Sequence, residues 1–108
     1  MLKKEYRYSF TLGIPGRAVH CPFFVLRFQK NNDAHARFAI VVSKKIDPHS
    51  VYRNKIKRRY SAIIAGMLDT IEPIDAIFYV RRPSRDATAD DIQTEIQKIF
   101  RKEGIIKQ

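Results

Sequence analysis

The chain has no tryptophan, one cysteine, four glycines and five prolines in 108 residues. Each shortage excludes something. With Cys21 alone, no disulfide can close within the chain, and nothing points to an oxidising compartment. Few Gly and Pro beside 44% hydrophobic residues argue against a disordered chain. No apolar run approaches the ~20 residues of a membrane span. The opening Met1-Leu-Lys-Lys-Glu5 lacks the apolar stretch of a signal peptide. These readings predict a cytoplasmic protein made of one domain, residues 1–108, with no membrane partner.

Acidic residues are also scarce where they would be needed. From Arg37 to Tyr60 there are eight Lys or Arg and a single acid, Asp47; most acids fall from Asp69 onward. The net charge is +10 and the sequence pI near 10.1. Charge patterned in this way marks a binding face for a polyanion better than a general solubility device. Five cations occupy the seven positions Arg53 to Arg59, with no acid at i±4 to neutralise them. Phosphates of a nucleic acid are the partner such a run fits.

The elements follow from spacing. Residues 3–12 are predicted as a short helix with Tyr6 and Phe10 on one face, ended by Gly13-Ile-Pro-Gly16. Pro22–Lys30 and Ala36–Lys45 read as strands joined in a hairpin by the turn signal Asn31-Asn-Asp33. The run Phe38–Val42 is continuously apolar, as in a strand buried on both faces. A helix follows, capped by Asp47 with Pro48 in its first turn, or by Ser50, and runs to about Leu68. Ile56, Tyr60, Ile63, Ile64, Met67 and Leu68 form its apolar stripe. Asp75–Arg81 reads as a strand reached by a crossover and parallel to an earlier one. Thr88 and Asp91 resemble a capping box opening a last helix, which buries Ile92, Ile96, Ile99 and Phe100.

At 100° per residue the basic helix sorts its polar side chains into three rows: Arg53 with Lys57, Asn54 with Arg58, and Lys55 with Arg59. Cations in the first turns oppose the helix dipole, at ~0.3–1 kcal/mol each at low salt, and a bound anion would relieve that. Strand alternation places Phe24 and Phe28 on one face and Phe23 and Arg27 on the other. An uncovered face carrying aromatics and Arg would serve as a stacking platform for unpaired bases. Enzyme signals are absent. His20, His35 and His49 lack metal-ligand spacing, and there is no nucleophile motif and no phosphate-binding glycine loop. The residues alone describe an RNA- or DNA-binding domain without catalytic residues of its own. A DNA regulator would need a second helix in helix-turn-helix arrangement, and none is evident. A structural RNA-binding protein of ribosomal type is the alternative.

Val42-Ser-Lys-Lys45, then Arg53-Asn-Lys-Ile-Lys-Arg58, resemble the signature of the protein subunit of bacterial ribonuclease P. That family carries Arg-Asn-Arg-x-Lys-Arg after a strand ending in Lys-Lys; Lys55 here replaces an Arg and keeps the charge. The similarity extends along the chain, through Tyr6, Phe10 and Gly13, Phe24-Val-Leu26, Asp75–Pro83 and Ile96–Lys102. Asp47-Pro48 replaces the Gly-Asn common in the family's turn, and Ser61 stands where a further cation is common.

The resemblance implies an α/β sandwich, with helices packed on a central mixed sheet of about four strands. It implies a left-handed βαβ crossover carrying the basic helix, against the usual hand. It implies the protein part of a ribonucleoprotein endoribonuclease that removes the 5′ leader of precursor tRNA. Hydrolysis falls to the RNA subunit with its Mg²⁺, and no metal is bound by the protein. On this reading one protein joins each RNA subunit, contacting it through Arg53, Asn54, Lys55, Lys57 and Arg58, with Arg59 added on charge. The leader is held by Tyr6, Phe10, Phe24 and Arg27, with Lys44 and Lys45 at the rim.

Overall fold

The computed structural model describes residues 4–9, 13–31 and 35–107. Four strands form one mixed sheet: β1 (Arg17–His20), β2 (Phe24–Lys30), β3 (Arg37–Val41) and β4 (Ile74–Val80). Their spatial order is β1-β2-β4-β3. Two helices complete the fold, α1 (Ser50–Ala65) in the crossover from β3 to β4, and α2 (Ala89–Lys102) after β4. β3 and β4 are parallel, so the crossover read from sequence is present.

β4 takes the centre because it is the most apolar strand. Ile74, Ala76, Ile77, Phe78 and Val80 are all buried, as a strand covered on both faces requires. β2 shows the alternation of a strand covered mainly on one face. Phe24, Leu26 and Phe28 are buried while Val25 and Arg27 are half-buried. The Phe78 ring is the hub. Phe24 lies 5.0 Å, Tyr60 5.7 Å, Phe38 6.1 Å and Phe100 6.3 Å away, centroid to centroid. Both helices therefore pack on the same face of the sheet, α1 through Tyr60 and α2 through Phe100. Removing a ring from such a site costs ~3–5 kcal/mol.

The hairpin expected between β2 and β3 does not form. β4 enters between them, antiparallel to β2 and parallel to β3. A turn signal reports only the local chain; which strand takes the centre is decided by total burial, to which β4 contributes most. The expected turn at residues 31–33 lies largely outside the described residues. β3 is consequently not buried on both faces: Phe38 is, whereas Ala39, Ile40 and Val41 stay partly exposed.

The expected first helix is reduced to one 3₁₀ turn, Lys4–Tyr6. Beyond it Arg7 bridges to Phe38 in parallel, and the Tyr8 N–H donates to the Phe38 carbonyl at 2.9 Å. A backbone engaged beside β3 cannot also close helical hydrogen bonds. Tyr8 is buried, its hydroxyl donating to the Gly13 carbonyl at 2.6 Å. Gly13 has φ +95°, open to glycine at little cost. Phe10 lies outside the described residues. β1 was not legible: it is four residues long, with Val19 alone partly buried.

α1 starts at Ser50, with His49 as its N-cap and no side-chain cap. Neither Asp47 nor Ser50 serves as cap. The Asp47 carboxylate accepts the His49 N–H at 2.9 Å instead. The helix ends at Ala65, and a separate 3₁₀ turn covers Leu68–Thr70. Ile56, Tyr60, Ile63, Ile64 and Met67 are buried as the stripe predicts. The capping box of α2 is complete: Asp91 N–H donates to Thr88 Oγ1 at 3.1 Å, and Thr88 N–H to Asp91 Oδ2 at 3.4 Å. Ile92, Ile96, Ile99 and Phe100 are buried. Among the described residues no helix is long and apolar enough to cross a membrane.

Candidate nucleic-acid interface

α1 is held from within by Ile56, Tyr60 and Ile64, so its polar rows have fixed directions. The Tyr60 hydroxyl meets Ser84 Oγ at 2.6 Å, and Ser84 Oγ donates to the Phe23 carbonyl at 2.6 Å. These bonds lock the helix onto the sheet at the level of its cations. None of the five cations of α1 is ion-paired with a carboxylate among the described residues. The helix has no acid in its first turn. Their mutual repulsion remains for a ligand to relieve.

Both flanks of α1 are hollow. On one side Asn54, Lys57, Arg58 and Ser61 line a recess of about 170 Å³. Lys57 and Ser61 also line an adjoining groove of about 360 Å³, together with Arg7, Phe38 and Ile40. On the other side Tyr52, Lys55 and Arg59 face Arg85 and Asp86 across a cavity of about 370 Å³, near the buried Asp47. Five of the six helix residues singled out from sequence thus line these spaces. Arg53 does not. Its guanidinium turns back to the carbonyls of Asp47 (3.0 Å) and Pro48 (2.8 Å), fastening the turn before the helix. Arg59 is also tethered, donating to the Ala87 carbonyl at 2.9 Å.

Asp47 organises the entrance to α1. Oδ1 accepts the His49 N–H and lies 3.0 Å from His49 Nδ1, and Oδ2 lies 3.4 Å from Arg85 Nε. The backbone hydrogen bond from His49 comes first in holding its carboxyl below the usual range; the His49 ring and Arg85 add to it, against the opposing effect of desolvation.

The sheet face away from the helices is the second surface. The pairings Val25↔Tyr79, Arg27↔Ile77 and Val41↔Tyr79 set these side chains on it. Tyr8 and Pro15 lie against part of this face. Arg27 donates to the Pro15 carbonyl at 3.3 Å, and Arg37 lies 5.9 Å from the Tyr8 ring centroid. Arg37 also forms a two-pronged pair with buried Asp75, at 2.8 and 2.9 Å.

A family model described as Ribonuclease P matches residues 1–104. The chain belongs to the Ribonuclease P family. The ribonuclease P protein component of Macrococcus caseolyticus is 32% identical over 87 residues, covering 80% of this chain and 75% of that relative. The corresponding component of Exiguobacterium sibiricum is 27% identical over 106 residues, with 97% and 89% covered. The solved RNase P protein of Staphylococcus aureus superposes with a TM-score of 0.78 at 26% identity, covering 94% of this chain and 98% of that one. The RNase P protein of Thermotoga maritima, at 19% identity and a TM-score of 0.73 over 86% and 93% of the chains, shares the fold.

Within this Ribonuclease P fold the residues expected to hold a leader do not all reach solvent. Phe24 is 0% exposed and lies edge-on to Tyr60 and Phe78. It is core, because strand alternation turns it to the face that both helices cover. Arg27 is on the opposite face, half-buried. Tyr6 is half-buried and edge-on to His35 at 5.3 Å, before β3 begins. Lys44 and Lys45 are exposed just after β3, at its other end. Tyr6 and the lysines therefore flank the second face from opposite ends of one strand. Sequence reasoning missed Tyr79, Val25, Tyr52 and Arg85. Alternation from Phe78 inward would have sent Tyr79 outward, whereas Arg85 reaches the helix only through the turn Arg82–Arg85. Among the described residues no group of three or more His, Cys, Asp or Glu could hold a metal ion.

Proposed function

We propose that this chain is the protein subunit of a cytoplasmic ribonucleoprotein endoribonuclease that removes the 5′ leader of precursor tRNA. Asn54, Lys55, Lys57, Arg58 and Arg59 contact phosphates of the catalytic RNA subunit, and Arg53 shapes the turn that presents them. The unpaired leader runs over the sheet face bearing Arg27 and Tyr79, between Tyr6 and the Lys44–Lys45 pair. The RNA subunit carries the hydrolysis with its own Mg²⁺, and one protein binds each RNA.

The observation that carries this reading is the unneutralised cationic face of α1, rigidly seated and hollow on both sides, in a chain of this family. Phosphate neutralisation supplies sequence-independent affinity; the partly covered sheet face supplies contacts to unpaired bases. The test combines the purified protein with the RNA subunit of the same organism at low Mg²⁺ and follows leader removal from precursor tRNA. Stimulation over RNA alone supports the proposal. Tight RNA binding without stimulation would favour a structural RNA-binding role instead.

A further inference from the structure

The cavity on the Tyr52 side of α1 has a construction that phosphate binding alone does not require. Tyr52 is 53% exposed, one of few large hydrophobic side chains left in solvent among the described residues. Its ring is not loose: His49 packs edge-on against it at 5.7 Å and 89°. His49 is fixed in turn by Asp47, a carboxylate only 2% exposed. The same carboxylate holds Arg85 on the far side of the cavity. Arg59 is anchored at Ala87. An aromatic face and two guanidinium groups, each with a partner in the protein, thus border about 370 Å³. That volume is near the lower end of small-molecule sites, where a single nucleotide fits.

The charges divide by task. Lys55, Arg59 and Arg85 supply cations for a phosphate. Asp86 lines the same cavity and makes no ion pair among the described residues. A carboxylate is repelled by phosphate and accepts hydrogen bonds only. It matches a base edge that presents donors. Guanine, with N1–H and the N2 amine side by side, offers two; uracil offers one.

We propose that this cavity takes one unpaired guanosine of an RNA chain. Its base stacks on Tyr52, its donor edge faces Asp86, and its phosphate lies among Lys55, Arg59 and Arg85. The proposal rests on the reading of α1 as an RNA-binding helix and adds base recognition to it. Stacking alone accepts any base; Asp86 makes the site selective.

The experiment measures binding of two labelled pentaribonucleotides to the full chain by fluorescence anisotropy at low salt. One is all uridine and the other has a single central guanosine. Wild type binds the guanosine oligonucleotide more tightly. Tyr52→Ala weakens that oligonucleotide about tenfold, Tyr52→Phe keeps its binding, and Asp86→Ala abolishes the preference over uridine. Equal binding of both oligonucleotides by wild type overturns the proposal, as does a preference that survives Tyr52→Ala. Leader removal with the RNA subunit is assayed in parallel on wild type. Stimulation without guanosine preference removes the pocket and leaves the proposed function standing. A Tyr52-dependent preference without stimulation does the reverse.

Discussion

The Tyr60 hydroxyl lies 2.6 Å from Ser84 Oγ, with both residues 0% exposed. Through Ser84 the bond continues to the Phe23 carbonyl just before β2. One buried chain of hydroxyls thus joins α1, the turn after β4 and the start of β2. Tyr60→Phe keeps the ring against Phe24 and Phe78 but removes one donor. The expected loss is about 1 kcal/mol, since Ser84 can still donate to Phe23. Urea unfolding of the two proteins, with unchanged slopes, measures it. No loss would mean that the hydroxyl pair does not help seat the helix.

The same phenol gives stability an alkaline limit. Burial pushes the Tyr60 hydroxyl well above its ordinary value, only partly offset by the Ser84 hydrogen bond. Between the unfolded value of ~10 and the raised folded value, the native state binds more protons than the unfolded chain. Stability therefore falls as pH rises above ~10. Tyr60→Phe should flatten this fall relative to wild type. An identical alkaline profile would assign the loss to other groups, Tyr8 first, whose phenol is raised by its own burial.

Asp47 acts at the other end of the scale. Its carboxyl is held below the usual range, first by the His49 N–H. The unfolded chain therefore takes up its proton before the native state does. The stabilisation is complete above the unfolded value of ~4 and is lost as pH falls through the lowered folded value. Asp47→Asn should reduce the acid sensitivity of unfolding and weaken the positioning of His49 and Arg85. Histidine NMR signals report the second effect directly: an unmoved His49 resonance in the variant would count against this account.

Arg53 and Arg58 look alike in the sequence and differ in the structure. Arg58 is exposed beside Asn54 and Lys57, while Arg53 is bonded to two carbonyls of the preceding turn. Arg58→Ala should lower the salt dependence of RNA-subunit binding by about 0.7–0.9 in logarithmic slope, one phosphate's worth. Arg53→Ala should change that slope less and instead lower the melting temperature. Lys102→Ala, on α2, is the reference with little effect on either. Equal slopes for all three variants would make total charge, and not helix geometry, the determinant.

The helices were legible because their information is local. The stripe of α1, the Thr88–Asp91 box and the buried face of α2 all lie within a few turns of chain. The basic run was legible because charge without counter-charge needs no fold to be seen. Strand order was not legible: nothing near Asn31 says that β4, over forty residues later, inserts beside β2. Phe24 was misplaced for the same reason, since which face of β2 is covered depends on where α1 and α2 return. The Tyr52 cavity depends on Asp47 reaching Arg85 as well as its neighbour His49, a contact across about a third of the chain that spacing cannot reveal.

The crowding of charge on α1 leads to a last expectation. Lys55, Lys57 and Arg58 are exposed, without carboxylate partners among the described residues, and lie within one turn of one another on the helix. A short oligonucleotide bound there neutralises them in the native state and binds more weakly to the same run in the unfolded chain, where no helix aligns the cations. At 100 times its dissociation constant it adds about 2.7 kcal/mol of stability. For a domain of this size that raises the melting temperature by roughly 10–20 °C. Sulfate is a poor probe on its own, because exclusion from the surface also strengthens burial. The comparison is therefore between wild type and a variant with Lys55, Lys57 and Arg58 all changed to Gln. The variant should melt higher than wild type at low salt without ligand, having lost the repulsion, and should gain little from the oligonucleotide. Equal gains in both proteins would place the anion site elsewhere and remove the physical basis for assigning RNA contact to this helix.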